Sequence, residues 1–284
     1  VLAVYDLNTR GNPQVYWNLV PDQSIISLVY KDGKLYGGTS IHGGQGGTPT
    51  AKEAVLFVWD AVKGEKVFET VPVPGKQAIT ALHVGPDGNI WGLANGALFI
   101  FDPVQQKVIY SKDEFPSASG RWIDGSMETG TDGNVYATVG GTFFKVDAAT
   151  KAVTVLATQA RKLAQDDYGN FYLFTDPESP NLYKYTDPKL IVRLTGAELS
   201  VPKTTLTVGE KIPLSIKGIL EKGRTTYELN GATITYTVSQ PDAVGIEHGV
   251  IEAKRAGNVQ ISATVAMDQV IVQTNAIHLE IRPA

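Results

Sequence analysis

The sequence contains no cysteine, which excludes a disulfide framework, a thiolate-ligated zinc site and a cysteine nucleophile. It has no apolar run near the ~20 residues that a membrane-spanning helix needs, so membrane insertion is not expected. It also lacks an excess of positive charge. Its 25 basic side chains face 29 acidic ones, a net charge of −4, and that balance argues against nucleic acid as a partner. There is no Gly-x-Ser-x-Gly elbow, no HExxH and no Gly-Lys-Ser/Thr phosphate loop. Histidine is scarce too, with only His42, His83, His248 and His278. What the 284 residues do have is a hydrophobic fraction of 43%, near the globular average, which excludes disorder as the main state.

The 29 glycines include a repeating subset. A Gly precedes an aromatic by three positions at Gly33/Tyr36, Gly88/Trp91, Gly133/Tyr136 and Gly169/Tyr172. Each Gly closes an acidic turn: Asp32-Gly33, Asp87-Gly88, Asp132-Gly133 and Asp167-Tyr168-Gly169. Such turns tolerate positive φ and join antiparallel strands tightly. Behind them recur β-rich segments at residues 55–60, 97–102, 142–147 and 182–186, with residues 1–6 as a further copy. A fourth segment follows at residues 15–20, 66–71, 107–111 and 152–157. Four short strands per unit, repeating at 55, 45 and 36 residues, are the signature of propeller blades. Asp87, Asp132 and Asp167 suggest calcium ligands at first sight, but they fall in separate turns and read as turn formers; Asp102 and Asp147 read as strand-end residues.

The phrase Gly85-Pro-Asp-Gly-Asn-Ile-Trp91 and its relatives resemble the quinoprotein-like, two-component-regulator and streptogramin-lyase-like propellers over residues 1 to about 190. The resemblance implies architecture only. Streptogramin lyases place Thr-Glu after this aromatic, whereas Gly92-Leu93 follows here, so that activity is not transferred. The expected fold is all-β, a partial propeller of about four and a half four-stranded blades over residues 1–193, followed by a sandwich over residues 194–284. Because the chain starts within a strand and shows no signal peptide, it is expected to be the C-terminal part of a longer protein. An absent segment or a separate chain would then complete the ring. Closure as four blades, with residues 15–20 sealing the last, is the alternative.

From about Leu194 the Gly-x-x-aromatic turns disappear. Alternating strands are expected at 206–208, 212–216, 234–239, 249–253, 259–265 and 277–281, with Val208, Ile251 and Ile261 facing a sandwich core. The phrases Leu206-Thr-Val-Gly-Glu-Lys211, Tyr236-Thr-Val-Ser-Gln-Pro241 and Gly249-Val-Ile-Glu-Ala-Lys-Arg-Ala-Gly257 resemble the bacterial Ig-like group 2 family of surface and secreted proteins. Residues 191–284 carry nine basic and nine acidic side chains, so the net charge of −4 belongs to residues 1–190. A neutral sandwich of this kind reads as a spacer or rigid support.

One propeller loop is unusual. Gly33 to Asp60 spans 27 residues, where the equivalent distance in two other copies is 14, and the excess of 13 falls on residues 39–52. Glycines there surround His42 and Gln45, so the insertion suits close approach to a ligand, or it is simply a flexible loop. At the starts of inner strands stand Lys76, Arg121 with Trp122 and Asp124, and Arg161. If the strands lie as read, these border one face with His42. Guanidinium groups grip carboxylates and Trp offers a flat face to a sugar ring, although an Arg121–Asp124 structural pair with Trp122 as filler fits equally.

The expected function is therefore the propeller-plus-sandwich portion of a secreted bacterial polysaccharide-degrading protein, contributing carbohydrate binding. The alternatives are a propeller that is itself a polysaccharide lyase acting on a uronate, with His42 as base, and a non-catalytic surface interaction module. The expected partners are a polysaccharide, with an acidic one suited by the arginines, and the remainder of the same protein. The Ig-like resemblance implies an extracellular location, and the absent cysteines suit a Gram-positive exporter. No cofactor and no metal are expected.

Overall fold

The computed structural model describes residues 1–42, 48–118, 125–175 and 181–284. They divide into two compact units, residues 1–166 with 170–189, and residues 190–284 with 167–169. Among the described residues all regular structure is β, apart from one short 3-10 turn at Glu221–Gly223.

The first unit opens with a two-stranded sheet, β1 (Leu2–Val4) and β2 (Gln14–Tyr16). Three four-stranded antiparallel blades follow. They are β3 (Ser24–Lys31) to β6 (Glu65–Thr70) through β4 (Lys34–Ser40) and β5 (Leu56–Asp60); β7 (Ile79–Val84) to β10 (Lys107–Asp113) through β8 (Ile90–Ala94) and β9 (Ala97–Asp102); and β11 (Ser126–Thr129) to β14 (Val153–Thr158) through β12 (Val135–Val139) and β13 (Thr142–Val146). The last sheet has three strands, β15 (Arg161–Gln165), β16 (Phe171–Phe174) and β17 (Leu182–Tyr185). The innermost strands β3, β7, β11 and β15 lie side by side in chain order, as propeller blades do around an axis. β2 pairs with β1 and, among the described residues, not with β17, so residues 15–20 do not seal the last blade.

The strand patterns follow from where each strand sits. β8 (IWGLA) and β9 (ALFIFD) are pressed between neighbouring blades and are almost continuously apolar and buried. Outer strands such as β6 (EKVFET) have one wet face and alternate. Blade 1 meets blade 2 through Tyr36, Leu56 and Val58 against Ile79, Ile90, Phe99 and Phe101. Blade 2 meets blade 3 through Trp91, Leu93 and Ile100 against Met127, Val135 and Phe144. The β1–β2 sheet lies on the other side of blade 1, where Leu2, Leu19 and Val20 cover Phe57 and Trp59.

The repeat turns are anchored by their carboxylates. Asp87 accepts hydrogen bonds from the Asn89 N–H and side-chain amide and from Trp91 Nε1; Asp132 does the same with Asn134 and the Tyr136 hydroxyl. In the fourth repeat this role falls to Asp166, not Asp167, because Asn170 and Tyr172 reach back to Asp166 across a longer turn. The strand-end aspartates are also turn anchors. Asp60, Asp102 and Asp147 each accept two N–H groups, from the residues two and three positions on.

In the second unit, β19 (Thr205–Thr207), β28 (Ile277–Arg282), β26 (Gly257–Met267) and β23 (Thr233–Val238) form one sheet, with β27 (Val270–Gln273) also on β26. β20 (Lys211–Pro213), β25 (Val250–Ala253) and β24 (Val244–Glu247) form another, and β18 (Leu194–Ser200), β21 (Ser215–Leu220) and β22 (Thr225–Thr226) a third. Leu206, Ile212, Ile251, Ile261, Leu279 and Ile281 share one buried core between sheets, with Val208 packed against it. The stretch 212–216, which reads as one strand in the sequence, is split. Pro213 ends β20 and the chain crosses to β21 two residues later.

Candidate functional site

The loops at one end of the blade array are tied by a belt of hydrogen bonds in two segments, one over blades 1 and 2 and one between blade 3 and the last sheet. Ile41 N–H donates to Gln77 O at 3.0 Å, and Ala54 N–H to Lys76 O at 2.8 Å, so the long β4–β5 connection lies against the residues leading into β7. Asn95 Oδ1 then accepts the N–H groups of Gln77 and Ala78, at 2.9 and 3.1 Å. Next in the belt, Phe115 N–H donates to Gly96 O at 3.1 Å, and Ala160 N–H to Gly141 O at 2.9 Å. The belt thus runs from the start of the His42 loop to Phe115, and resumes between the β12–β13 turn and the residue before Arg161. It uses main-chain groups that strands do not need at their ends, so each is satisfied by its neighbour.

β-bulges at the same end re-aim the inner strands. The register shifts between Ile25 and Ser27 in β3, between Ile79 and Ala81 in β7, and between Arg161 and Leu163 in β15. In β15 the bulged residue Lys162 has φ of +51°, and Arg161 and Lys162 are both exposed. Bulges commonly turn side chains toward sites at strand ends.

The belt brings three of the sequence-proposed residues to this end. His42 is half-buried, and its backbone N–H donates to Ser40 Oγ at 3.2 Å; the described residues supply no hydrogen-bond partner for its ring. Lys76 is already paired, its Nζ 2.6 Å from Asp113 Oδ2. Arg161 borders a cleft of about 330 Å³ lined by Phe115, Ser117, Ala118, Gly140, Gly141 and Thr142, and it forms no ion pair among the described residues. Phe115 is held by Phe144, with ring centroids 4.6 Å apart. Gln45, Arg121, Trp122 and Asp124 lie outside the described residues.

The sequence reading overlooked Asn95, Asp113 and Glu53. Asn95 had a visible signal, the Asn95-Gly96 pair between two apolar strands, which marks a tight hairpin. Glu53 accepts the Gly75 N–H at 2.7 Å and ties the β4–β5 connection to the next blade. Neither it nor Asp113 carries a motif that would expose its role before the fold is known.

His83 is placed away from these loops, on β7, with Nε2 2.7 Å from Thr129 Oγ1 of β11. Burial holds its imidazole below the ordinary value of 6.5, so the ring is a neutral link between two blades.

No family model matches the sequence, and no curated protein matches it. Among solved structures the chain is similar to the extracellular domain of a hybrid two-component system from B. thetaiotaomicron. Identity is 10% and the TM-score 0.47, over 99% of this chain and 47% of that one. A second such domain from the same organism gives 12% identity and a TM-score of 0.42, over 92% of this chain and 44% of that one. Streptogramin B lyase gives 12% identity and a TM-score of 0.43, over 93% of this chain and 85% of that one. The chain therefore spans just under half the length of the two sensor domains, and at these scores the likenesses carry no functional conclusion.

Proposed function

We propose that the blade array presents a saccharide-binding face at the end carrying residues 41–42, 48–55, 71–78, 114–118 and Arg161. In this reading the chain is the propeller-and-sandwich part of an extracellular polysaccharide-degrading protein and contributes substrate binding to it. The supporting observation is the hydrogen-bonded belt, which ties loops of neighbouring blades at one end of the scaffold, beside a cleft bordered by Arg161, a cation that forms no ion pair among the described residues. Sites of this kind, with irregular backbone and polar side chains on stiff strands, are where repeat scaffolds bind ligands. Arg161 suits a uronate carboxylate, because its planar fork can donate two parallel hydrogen bonds. Small residues at Gly140, Gly141 and Ala118 leave room for a ring beside it.

Binding is favoured over catalysis within this chain. Proton abstraction from a uronate needs a base and a charge neutraliser on one sugar. The described residues give the His42 ring no partner to orient it, and the Lys76 charge is matched by Asp113. The test is affinity electrophoresis and calorimetry against matched neutral and uronate-containing polysaccharides. Retention by a uronate polymer, weakened in Arg161→Ala, supports the reading. No retention by any polysaccharide overturns it.

A further inference from the structure

β1 is a third strand without its second. In each complete blade the third strand is hydrogen-bonded on both edges, β5 between β4 and β6, β9 between β8 and β10, β13 between β12 and β14. Each of these strands ends at or one residue before the anchoring aspartate, which accepts the N–H two residues on: Val62 to Asp60, Val104 to Asp102, Ala149 to Asp147. Asp6, two residues beyond β1, repeats this with the Asn8 N–H at 2.8 Å. The next turn repeats as well. Arg10 N–H donates to Asp6 O, as Gly64 does to Asp60 O and Lys151 to Asp147 O. β1 is therefore the same element, and β2 is its fourth strand. Among the described residues, nothing pairs with the other edge of β1.

Blade 1 carries the matching vacancy. Leu82 and Val84 of β7, opposite Gly92 and Ile90, pack into the core between blades 1 and 2. Their counterparts in β3 are Leu28, opposite Gly37, and Tyr30, opposite Leu35. These are 47% and 62% exposed. The outer half of the same face, Phe57 and Trp59, is covered by Leu2, Leu19 and Val20. One interface is thus covered over its outer half and bare over its inner half.

We infer that the free edge of β1 and the Leu28–Tyr30 surface take up a β-hairpin from outside residues 1–284, forming the inner two strands of one more blade. The inner hairpins of a second copy are not free to supply it, because β3–β4, β7–β8, β11–β12 and β15–β16 are each already paired with their own third strand. The register specifies the chemistry of the occupant. One residue before the anchoring aspartate, Trp59, Phe101 and Val146 face Leu35, Ile90 and Val135; two before, Val58, Ile100 and Lys145 face Tyr36, Trp91 and Tyr136. The hairpin should therefore place an aliphatic side chain opposite Tyr5 and an aromatic opposite Val4, after an acidic turn whose carboxylate takes the aromatic's donor. Three before, Phe57, Phe99 and Phe144 face Gly37, Gly92 and Ala137, whose small size leaves room for the ring. Ala3 relaxes that last demand, because it brings no ring to accommodate.

The probe is a copy of residues 79–96 fused directly before Val1, which reproduces the natural spacing from hairpin to strand-end aspartate. The control fusion carries Asp at the copied Ile90 and Trp91 positions. Backbone amides of residues 2–4 should exchange about tenfold more slowly in the first fusion than in the control, the factor that ~1.4 kcal/mol of added stability produces. Tyr30→Asp in the first fusion should remove the protection. Equal exchange in the two fusions overturns the inference. So does a dimer of the unfused chain, seen by light scattering, in which residues 2–4 are protected.

Discussion

Trp91 Nε1 donates to Asp87 Oδ1 at 2.9 Å, from a ring that is completely buried between blades. Tyr136 and Tyr172 repeat the bond to Asp132 and Asp166 at 3.0 and 3.1 Å. The aromatic of the repeat is thus both core and latch, its body filling the blade interface while its single polar atom closes the turn. Lys151 adds a cation over the Trp91 ring, 4.4 Å from its centroid, from the turn of the next blade.

Asp87→Ala should therefore destabilise by more than a surface substitution does. It removes three hydrogen bonds and leaves the buried indole N–H unpaired, which costs about 1–3 kcal/mol. Trp91→Phe in the Asp87→Ala background should cost less than the sum of the two single changes, because the donor left orphaned is gone. Urea unfolding of the four proteins of this cycle measures the coupling, and strict additivity would contradict the latch.

Much of this architecture was legible because a repeat displays its own register. Gly-x-x-aromatic turns located the inner hairpin of each blade, and the trailing aspartates Asp60, Asp102 and Asp147 located the third strands of the three complete blades. The fourth turn misled at Asp167, because its two extra residues move the anchor back to Asp166 while Gly169 keeps the spacing to Tyr172. The end-face belt was illegible for a different reason. Its members are main-chain groups and single polar side chains, Asn95, Glu53 and Asp113, whose partners lie 18, 22 and 37 residues away in the sequence. Periodicity reports which face of a strand is buried, but says nothing of which loop end meets which.

Acid should act in two windows. Burial lowers the His83 pKa from 6.5, so as pH falls below 6.5 the unfolded chain takes up a proton that the folded one refuses, and stability declines. Asp60, Asp102 and Asp147 are held below 3.8, chiefly by the N–H groups of Lys63, Gln105 and Thr150. Their contribution is complete above 3.8 and is lost as pH falls through the lower folded values. His83→Gln should flatten unfolding free energy between pH 6.5 and the acid limb while leaving the limb below 3.8 in place. Denaturant titrations across pH would show this, and an unchanged slope below 6.5 in the variant would exclude His83 as its source.

Gly96 sits where no side chain fits. A Cβ there would overlap the Phe115 carbonyl oxygen, and that is main chain, which cannot rotate away as a side chain can. Gly96→Ala should cost about 1–3 kcal/mol as an overpacking change and loosen the residue 115–118 wall of the Arg161 cleft. Gly92→Ala meets the Phe99 ring instead, inside the blade, and should destabilise without a selective effect on that wall. Hydrogen exchange at residues 115–118, normalised to global stability, separates the two.

Arg161 decides whether the cleft is a carboxylate site. If a uronate lies against Phe115, Ser117 and Gly140, Arg161→Ala should weaken binding by about 1.5–3 kcal/mol, the range for hydrogen bonds to charged groups. The loss should appear with the uronate polymer and vanish with its neutral counterpart, since only the carboxylate meets the guanidinium. Lys76→Ala should have a smaller effect, because Asp113 already offsets that charge, and the surface pair itself is worth about 0–1 kcal/mol. His42→Ala tests the neighbouring loop. Lost turnover of a uronate polymer with affinity retained would move the chemistry into this chain, whereas lost affinity alone assigns His42 to binding. Calorimetry at two salt concentrations completes the argument, because an exposed arginine–carboxylate contact weakens as the Debye length shrinks. Salt-independent affinity, unaltered in Arg161→Ala, would place the ligand elsewhere on the array.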